Sequence, residues 1–178
     1  MKTTSRIALG GIMGALSLLC LLLTVFPYAT YALPALASLF LFPVIIEGGK
    51  RLGLAVYAST ALLALLIVPD MEAKALYVTF FGLYPMLKSV AERIGRAGEW
   101  AIKLAAFNAA VVLTYGALTS LQLLPMADFA VGNLAMPTAL AVLLLAGNVV
   151  FVVYDIGLTR VLSLYIYRFQ PLLRRYWK

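Results

Sequence analysis

The sequence contains no histidine and only one cysteine, Cys20, which lies inside an apolar run. Histidine is the commonest metal ligand and general base, so its absence removes the usual metal sites and acid–base catalysts. No serine has a histidine to activate it, and one cysteine cannot build a disulfide framework. The glycine turn at 47–50 lacks the spacing of a phosphate-binding loop. These absences argue against an enzyme, and we expect neither a cofactor nor a metal.

Charged side chains are also scarce. They make up 12% of the 178 residues, against 64% hydrophobic residues, whereas a soluble domain typically carries about 25% charged residues. A chain with so few charges cannot cover a water-exposed surface with polar groups. Once the apolar runs are placed, no room remains for a soluble domain. We therefore expect residues 1–178 to form a single integral membrane domain.

Apolar runs long enough to cross a bilayer fill most of the chain. A hydrocarbon core of about 30 Å requires roughly 20 apolar residues in a helix, and a lipid-exposed backbone must satisfy its own hydrogen bonds. The sequence predicts six such helices, at approximately 7–26, 29–46, 52–68, 75–90, 101–121 and 134–158. The expected fold is an all-α membrane protein, a bundle of six transmembrane helices.

The basic residues are sorted to one side of these predicted helices. Of fourteen lysines and arginines, all but Lys74 fall on one side, and Lys74 shares the other with Asp70, Glu72 and Asp128. By the positive-inside rule, both the N and C termini are expected in the cytoplasm. The net charge of +7 then reflects cytoplasmic loops that face anionic lipid, and we expect no nucleic-acid partner.

Small residues form a stripe on the first predicted helix. Gly10, Gly14 and Ser17 are spaced by four and three residues, with Gly11 and Ala15 beside them. Such a small-xxx-small face lets another helix backbone approach closely. The partner is either a helix of this bundle or a separate membrane protein that docks there, and the spacing alone does not distinguish the two.

Each of the last three predicted helices concentrates its polar and aromatic side chains on one face. These residues are Tyr77, Phe81, Tyr84 and Lys88 on the fourth helix, Asn108, Tyr115, Thr119 and Gln122 on the fifth, and Asn148, Asp155 and Thr159 on the sixth. Lipid cannot solvate polar groups, so the three stripes are expected to face one another or a wet cavity.

The outer part of these stripes has the composition of a small-molecule site, with aromatic rings and a few hydrogen-bonding groups. Its candidate ligand-binding residues are Tyr77, Phe81, Tyr84, Tyr115, Thr119 and Gln122. Loop residues that could close such a site are Tyr28, Tyr31, Met126, Asp128, Phe129 and Asn133. The alternative is an aromatic belt at the membrane interface, where tyrosine is enriched.

The inner part of the stripes has the character of structural polar contacts. Asn108 and Asn148 lie at similar predicted depths and could bond across helices, and Lys88 could pair with Asp155 or Glu47. An unpaired ion at that depth is costly. A functional role stays open because intramembrane charges often mark functional sites.

The chain resembles the substrate-binding S components of energy-coupling factor (ECF) transporters. The resemblance rests on size, six predicted spans, cytoplasmic termini, the opening helix Arg6–Leu23 and the segment Val153–Leu162. It implies a multi-pass protein of the bacterial cytoplasmic membrane that works with a transmembrane coupling protein and ATPase subunits. It also implies docking through small residues of the first helix, here Gly10 and Gly14 or Gly11 and Ala15. The ligand would bind near the outer face, between the last three helices and the first loop.

The resulting hypothesis is a substrate-capture subunit of an ATP-driven importer for a small vitamin-like metabolite. One alternative is a non-catalytic structural or regulatory membrane subunit that uses the same small-residue face. Another is a carrier of lipid or of a lipid-linked intermediate, in which the region of Lys88 and Lys103 binds a phosphate.

Overall fold

The computed structural model of the protein describes residues 3–26, 29–123 and 136–171, apart from the side chains of 136–140 and 143. Throughout these residues the regular structure is helical. The helices are α1 (Thr3–Leu22, continued by a 3₁₀ turn at Leu23–Val25), α2 (Ala32–Leu39), α3 (Leu41–Gly48), α4 (Lys50–Ile67), α5 (Met71–Leu76), α6 (Tyr84–Ala91), α7 (Arg96–Ser120) and α8 (Met136–Leu164). Two π-helical turns, Tyr77–Phe81 and Tyr165–Phe169, follow α5 and α8.

Within the described residues, four helical stretches are long and apolar enough to cross a membrane. They are Thr3–Val25, Lys50–Ile67, Arg96–Ser120 and Leu144–Phe169. Large apolar side chains such as Leu66, Leu113 and Val150 are exposed on their surfaces, as expected of side chains that face lipid. The described part of the chain is therefore all-helical, with four candidate membrane-spanning helices.

The segments predicted as the second and fourth spans are interrupted helices. The second consists of α2 and α3, which meet at Phe40, and the fourth consists of α5, a π turn and α6. Pro43 and Pro85 lie within the first turns after these interruptions. Proline lacks the N–H that would continue the helical ladder and its ring crowds the preceding turn, so a continuous helix is disfavoured at both places.

The π turn before α6 is stabilised by a tyrosine of α4. The Gly82 N–H donates to the Tyr77 carbonyl at 2.8 Å, and the Tyr57 hydroxyl donates to the Val78 carbonyl at 2.6 Å. A Cβ on Gly82 would lie 2.5 Å from the Tyr57 ring. Only glycine lets α4 and this turn approach so closely.

The bundle has two ends of opposite character. At the acidic end, the loop before α2 contacts the start of α5 through Thr30 and Asp70, 2.8 Å apart. At the basic end, Lys50 and Arg51 lie where α3 meets α4. The interrupted helices connect these ends, and α1 packs against α2, α3 and α4.

Candidate functional site

Three structural elements meet at a carboxylate at the acidic end. The Glu72 Oε1 atom on α5 accepts hydrogen bonds from the Tyr31 hydroxyl, at 2.7 Å, and from the Tyr115 hydroxyl of α7. The two tyrosine hydroxyls lie 3.5 Å apart. We call Tyr31, Glu72 and Tyr115 the acidic-end site. It joins the loop before α2 to α5 and α7.

The position of Glu72 follows from the way α5 begins. Asp70 is the N-cap, and its Oδ1 accepts the backbone N–H groups of Glu72 and Ala73 at 3.0 Å. An Asp N-cap satisfies donors that the first turn leaves unpaired. Lys74 lies two residues further on, but its Nζ donates to the Val68 carbonyl at 3.1 Å, at the end of α4. The described residues therefore supply Glu72 with phenol donors and no cation.

A second cluster lies at the basic end and is built from buried ions. Lys88 of α6 and Lys103 of α7 are each 1% exposed, and Asp155 of α8 is 3% exposed. The Asp155 Oδ1 atom lies 2.5 Å from Lys88 Nζ and 2.5 Å from the Tyr84 hydroxyl, and its Oδ2 lies 2.8 Å from Lys103 Nζ. Every carboxylate oxygen thus has a charged or hydroxyl donor. We call Tyr84, Lys88, Lys103 and Asp155 the buried-charge cluster.

Two glutamates also pair with the lysines, at the rim of this cluster. Glu92 lies 2.9 Å from Lys88 Nζ, and Glu99 lies 2.5 Å from Lys103 Nζ. Beside them an open cleft of about 400 Å³ lies between α7 and α8, lined in part by Arg96 and Arg160. The lysines are engaged by carboxylates, so this arrangement serves first to connect α6, α7 and α8.

The sequence stripes anticipate part of this cluster and miss part. The pairing of Lys88 with Asp155 is present, whereas Glu47 accepts a hydrogen bond from Gln170 at 2.7 Å. The polar stripe drawn for α7 leaves Lys103 out. The sequence signal for Lys103 was its position four residues after Glu99, because residues at i and i+4 lie on the same face of a helix.

Asn108 and Asn148 form a reciprocal amide pair between α7 and α8. Each Nδ2 donates to the other residue's Oδ1 at 2.9 Å, and each also donates to a carbonyl one turn earlier in its own helix, at 2.8 Å. The contact expected from their similar depths is therefore present. It lies on the α7–α8 interface that also joins Lys103 to Asp155.

The residues predicted to bind a ligand do not converge on one site. Tyr77 is buried, and its hydroxyl lies 3.0 Å from both Ser17 on α1 and Thr60 on α4. Phe81 packs edge-on against Tyr154 of α8, with ring centroids 5.3 Å apart. The π turn and the break at Gly82 interrupt the regular helical spacing along this segment. Tyr77 therefore contacts α1 and α4, whereas Phe81 contacts α8.

The other four candidates lie in different surroundings. Tyr84 belongs to the buried-charge cluster, and Tyr115 belongs to the acidic-end site. The Thr119 hydroxyl donates to the Tyr115 carbonyl within α7 at 2.7 Å. Gln122 is exposed in the turn after α7, at a positive φ of 57°. Of the six, Tyr115 is the one in contact with a carboxylate at the acidic end.

The small residues of α1 separate into two faces. Gly10 and Gly14 are buried against α4, where an added Cβ would lie 3.0 and 3.2 Å from Val56. Gly11 and Ala15 are exposed, and a Cβ on Gly11 would have nothing within 4 Å. Gly10 and Gly14 therefore serve packing within the bundle, and the pair Gly11 and Ala15 is open to an external partner.

Several residues of the predicted outer site lie outside the described part of the chain. They are Tyr28, Met126, Asp128, Phe129 and Asn133. Sequence reasoning named Glu72 only as one of the few charges opposite the basic side. The signal that could have raised it was its place in the first turn of a helix begun by Asp70.

Comparison with known proteins assigns no relative. Neither a protein-family model nor a curated protein nor a solved structure matches this chain.

Proposed function

We propose that this chain is the substrate-capture subunit of an ECF-type importer. In this proposal the chain crosses the membrane six times, with both termini in the cytoplasm. A small metabolite binds at the acidic end, which faces outward. Separate ATPase subunits and a transmembrane coupling protein then drive its release inside.

The two interrupted segments support six crossings. The helices α2 and α3 run from the acidic-end residue Tyr31 to Glu47, which bonds to Gln170. The second interrupted segment runs from Glu72 in the acidic-end site to Lys88 in the buried-charge cluster. At 1.5 Å per residue, Ala32–Gly48 extends roughly 25 Å. That length is a few ångströms short of the hydrocarbon thickness of about 30 Å, a mismatch that local bilayer thinning and snorkelling flanking residues can accommodate.

The observation that carries the proposal is the contrast between the two ends. At the basic end, Lys88, Lys103 and Asp155 are buried and ion-paired, and Glu92 and Glu99 pair with the two lysines at the rim. At the acidic end, Glu72 lies between two tyrosines from different elements, with Tyr31 57% exposed. Aromatic rings around one polar anchor are typical of a small-molecule site. By the positive-inside rule this end is the outer one.

The exposed small face of α1 supports docking to a partner membrane protein. Gly10 and Gly14 are used within the bundle, whereas Gly11 and Ala15 leave a shallow open surface on α1. A helix of the coupling protein can approach such a surface closely, where dispersion contacts accumulate. We therefore propose Gly11 and Ala15 as the docking register, because this is the exposed pair of the two.

The experiment is affinity purification of the tagged chain in mild detergent from its own host. Wild type is expected to recover ATPase subunits and a polytopic coupling protein, and Gly11→Leu is expected to lose them while the chain stays folded. Gly116→Leu on α7 is the matched control, because Gly116 is also exposed with nothing within 4 Å of an added Cβ. Recovery of the same subunits with Gly11→Leu would contradict the docking face. A wild-type chain that recovers no ATPase would contradict the importer assignment.

Orientation has an independent test because Cys20 is the single cysteine. In a Cys20→Ser background, a cysteine replacing exposed Met71 should react with an impermeant maleimide added outside intact cells. A cysteine replacing exposed Arg93 should react only after the cells are opened. The reverse pattern would overturn the assignment of sides.

A further inference from the structure

We infer that the open cleft between α7 and α8 at the basic end binds the headgroup of an anionic phospholipid. Arg96 of α7 and Arg160 of α8 bind its phosphate, and the apolar face of α8 contacts an acyl chain. The inference is separate from the proposed capture of a small molecule at the acidic end. It requires only that α7 and α8, both long and apolar enough to span a membrane, lie in a bilayer.

The two arginines lie at about the same level of neighbouring antiparallel helices. Lys103 of α7 meets Asp155 of α8, and the reciprocal amide pair lies later in α7 but earlier in α8. Positions in α7 therefore rise as positions in α8 fall. Continuing this register toward the start of α7 brings Arg96 to about the level of Arg160. Both residues line the same cleft of about 400 Å³.

Among the described residues, neither arginine has a hydrogen-bond or ion-pair partner. Both are exposed. The two glutamates that line the cleft are engaged by lysines, Glu92 by Lys88 and Glu99 by Lys103. With Asp155, the cleft and its ion pairs bring together two lysines, two arginines and three carboxylates. One positive charge is left over, which matches the single negative charge of a phosphodiester.

A phosphodiester suits two arginines that face each other from different helices. Guanidinium groups bind phosphate oxygens through paired N–H donors. One phosphate between Arg96 and Arg160 also relieves the repulsion of two like charges that line one cleft. Basic pockets between transmembrane helices at the cytoplasmic side bind lipid headgroups in this way. The cleft therefore has the charge and the donors of a headgroup site.

An apolar face of α8 leads from this cleft toward the membrane interior. Val149, Val153 and Ile156 precede Arg160 at spacings of four, three and four residues, which places all four on one face of the helix. The three apolar side chains are 66%, 66% and 51% exposed, and Ile156 lines the cleft together with Arg160. An acyl chain attached to a phosphate at Arg160 runs along this face. A soluble anion makes no use of it, so the source of the phosphate is a lipid.

Trp100 makes occupancy of the cleft observable. It lines the cleft one turn inward from Arg96, and its ring centroid lies 5.3 Å from Lys103 Nζ. The sequence has two tryptophans, so Trp177→Phe leaves Trp100 as the single one. In this background the full chain is reconstituted into phosphatidylcholine vesicles that contain a small fraction of lipid brominated on one acyl chain. Bromine quenches tryptophan fluorescence at close contact, so quenching reports which lipid occupies the cleft.

Brominated phosphatidylglycerol is compared with brominated phosphatidylcholine of the same acyl chains. The relative binding constant of phosphatidylglycerol at Trp100 is expected to be about five, the factor that one basic residue near an anionic lipid contributes. Arg96→Gln combined with Arg160→Gln should abolish the preference. The matched control is Lys50→Gln combined with Arg51→Gln, which removes the same charge from exposed positions at the same end of the bundle. The control should keep the preference.

Three results would overturn the lipid site. They are equal quenching by the two brominated lipids with both arginines present, a preference that survives their replacement, and a preference lost equally in the Lys50 and Arg51 control. Inorganic phosphate at about 10 mM on both sides of the membrane, enough to occupy a millimolar site, should leave the quenching unchanged. Recovery of fluorescence with phosphate would identify a soluble anion and contradict the lipid. Recovery of ATPase subunits with the tagged chain tests the importer assignment separately.

Discussion

Replacing Asp155 by asparagine tests whether the buried-charge cluster holds α6, α7 and α8 together. Asp155 is 3% exposed. Its carboxylate accepts hydrogen bonds from Lys88 Nζ, Lys103 Nζ and the Tyr84 hydroxyl at 2.5 to 2.8 Å. Breaking a buried ion pair by removing one partner costs about 3–5 kcal/mol. Here each lysine keeps a glutamate at the rim, Glu92 or Glu99. We therefore expect a loss of about 3 kcal/mol, at the lower end of that range.

The assay is reversible unfolding in mixed micelles, followed by circular dichroism and tryptophan fluorescence. The matched control is Glu99→Gln, which removes a partly exposed carboxylate from Lys103 and leaves Asp155 in place. Because Glu99 is 20% exposed and Lys103 keeps Asp155 as its partner, the control should lose clearly less stability than Asp155→Asn. An Asp155→Asn loss as small as that of the control would refute the structural role of the cluster.

Two further predictions concern contacts between helices. Gly82→Ala should destabilise the chain by about 1–3 kcal/mol, because the new methyl group would lie 2.5 Å from the Tyr57 ring. The control Gly116→Ala, in open space within α7, should stabilise the chain by up to about 1 kcal/mol. Equal effects of the two variants in the same micelle assay would count against the close approach of Gly82 and Tyr57. A double-mutant cycle with Asn108→Ala and Asn148→Ala should give a coupling of about 0.6–1.7 kcal/mol for the reciprocal amide pair, and additive losses would mean that the pair does not interact.

The membrane character of the fold could be predicted because it depends on local composition. Apolar runs and the scarcity of charge are visible along the sequence, and the structure contains the long apolar helices they indicate. The interruptions at Pro43 and Pro85 had a sequence signal, since proline ends a helical ladder. The π turn had none, because it depends on Tyr57 of α4 reaching across to Gly82 and Val78.

The grouping of the candidate site residues could not be predicted from helical spacing. A regular helix would present Tyr77 and Tyr84 on one face, but the π turn and the break before α6 separate their surroundings. The stripe of small residues on α1 had two possible registers, and the sequence left both open. Packing of Val56 and Thr60 of α4 against Gly14 resolves which register is internal.

Glu72 shows a second reason why site prediction is harder than fold prediction. Its partners Tyr31 and Tyr115 are separated from it by 41 and 43 residues. Such long-range meetings follow from how helices pack and not from periodicity within one helix. The loop tyrosine, the helix start at Asp70 and the middle of α7 become one site only once the bundle is assembled.

The proposed capture of a small molecule by this chain for an ATP-driven importer can be tested on the purified protein. Native mass spectrometry of the tagged chain, purified in mild detergent from its own host, tests it most directly. We expect a complex with a coupling protein and ATPase subunits that holds one small-molecule adduct per chain, with the adduct absent from Tyr115→Ala. A homogeneous wild-type chain with neither adduct nor ATPase subunits would contradict it.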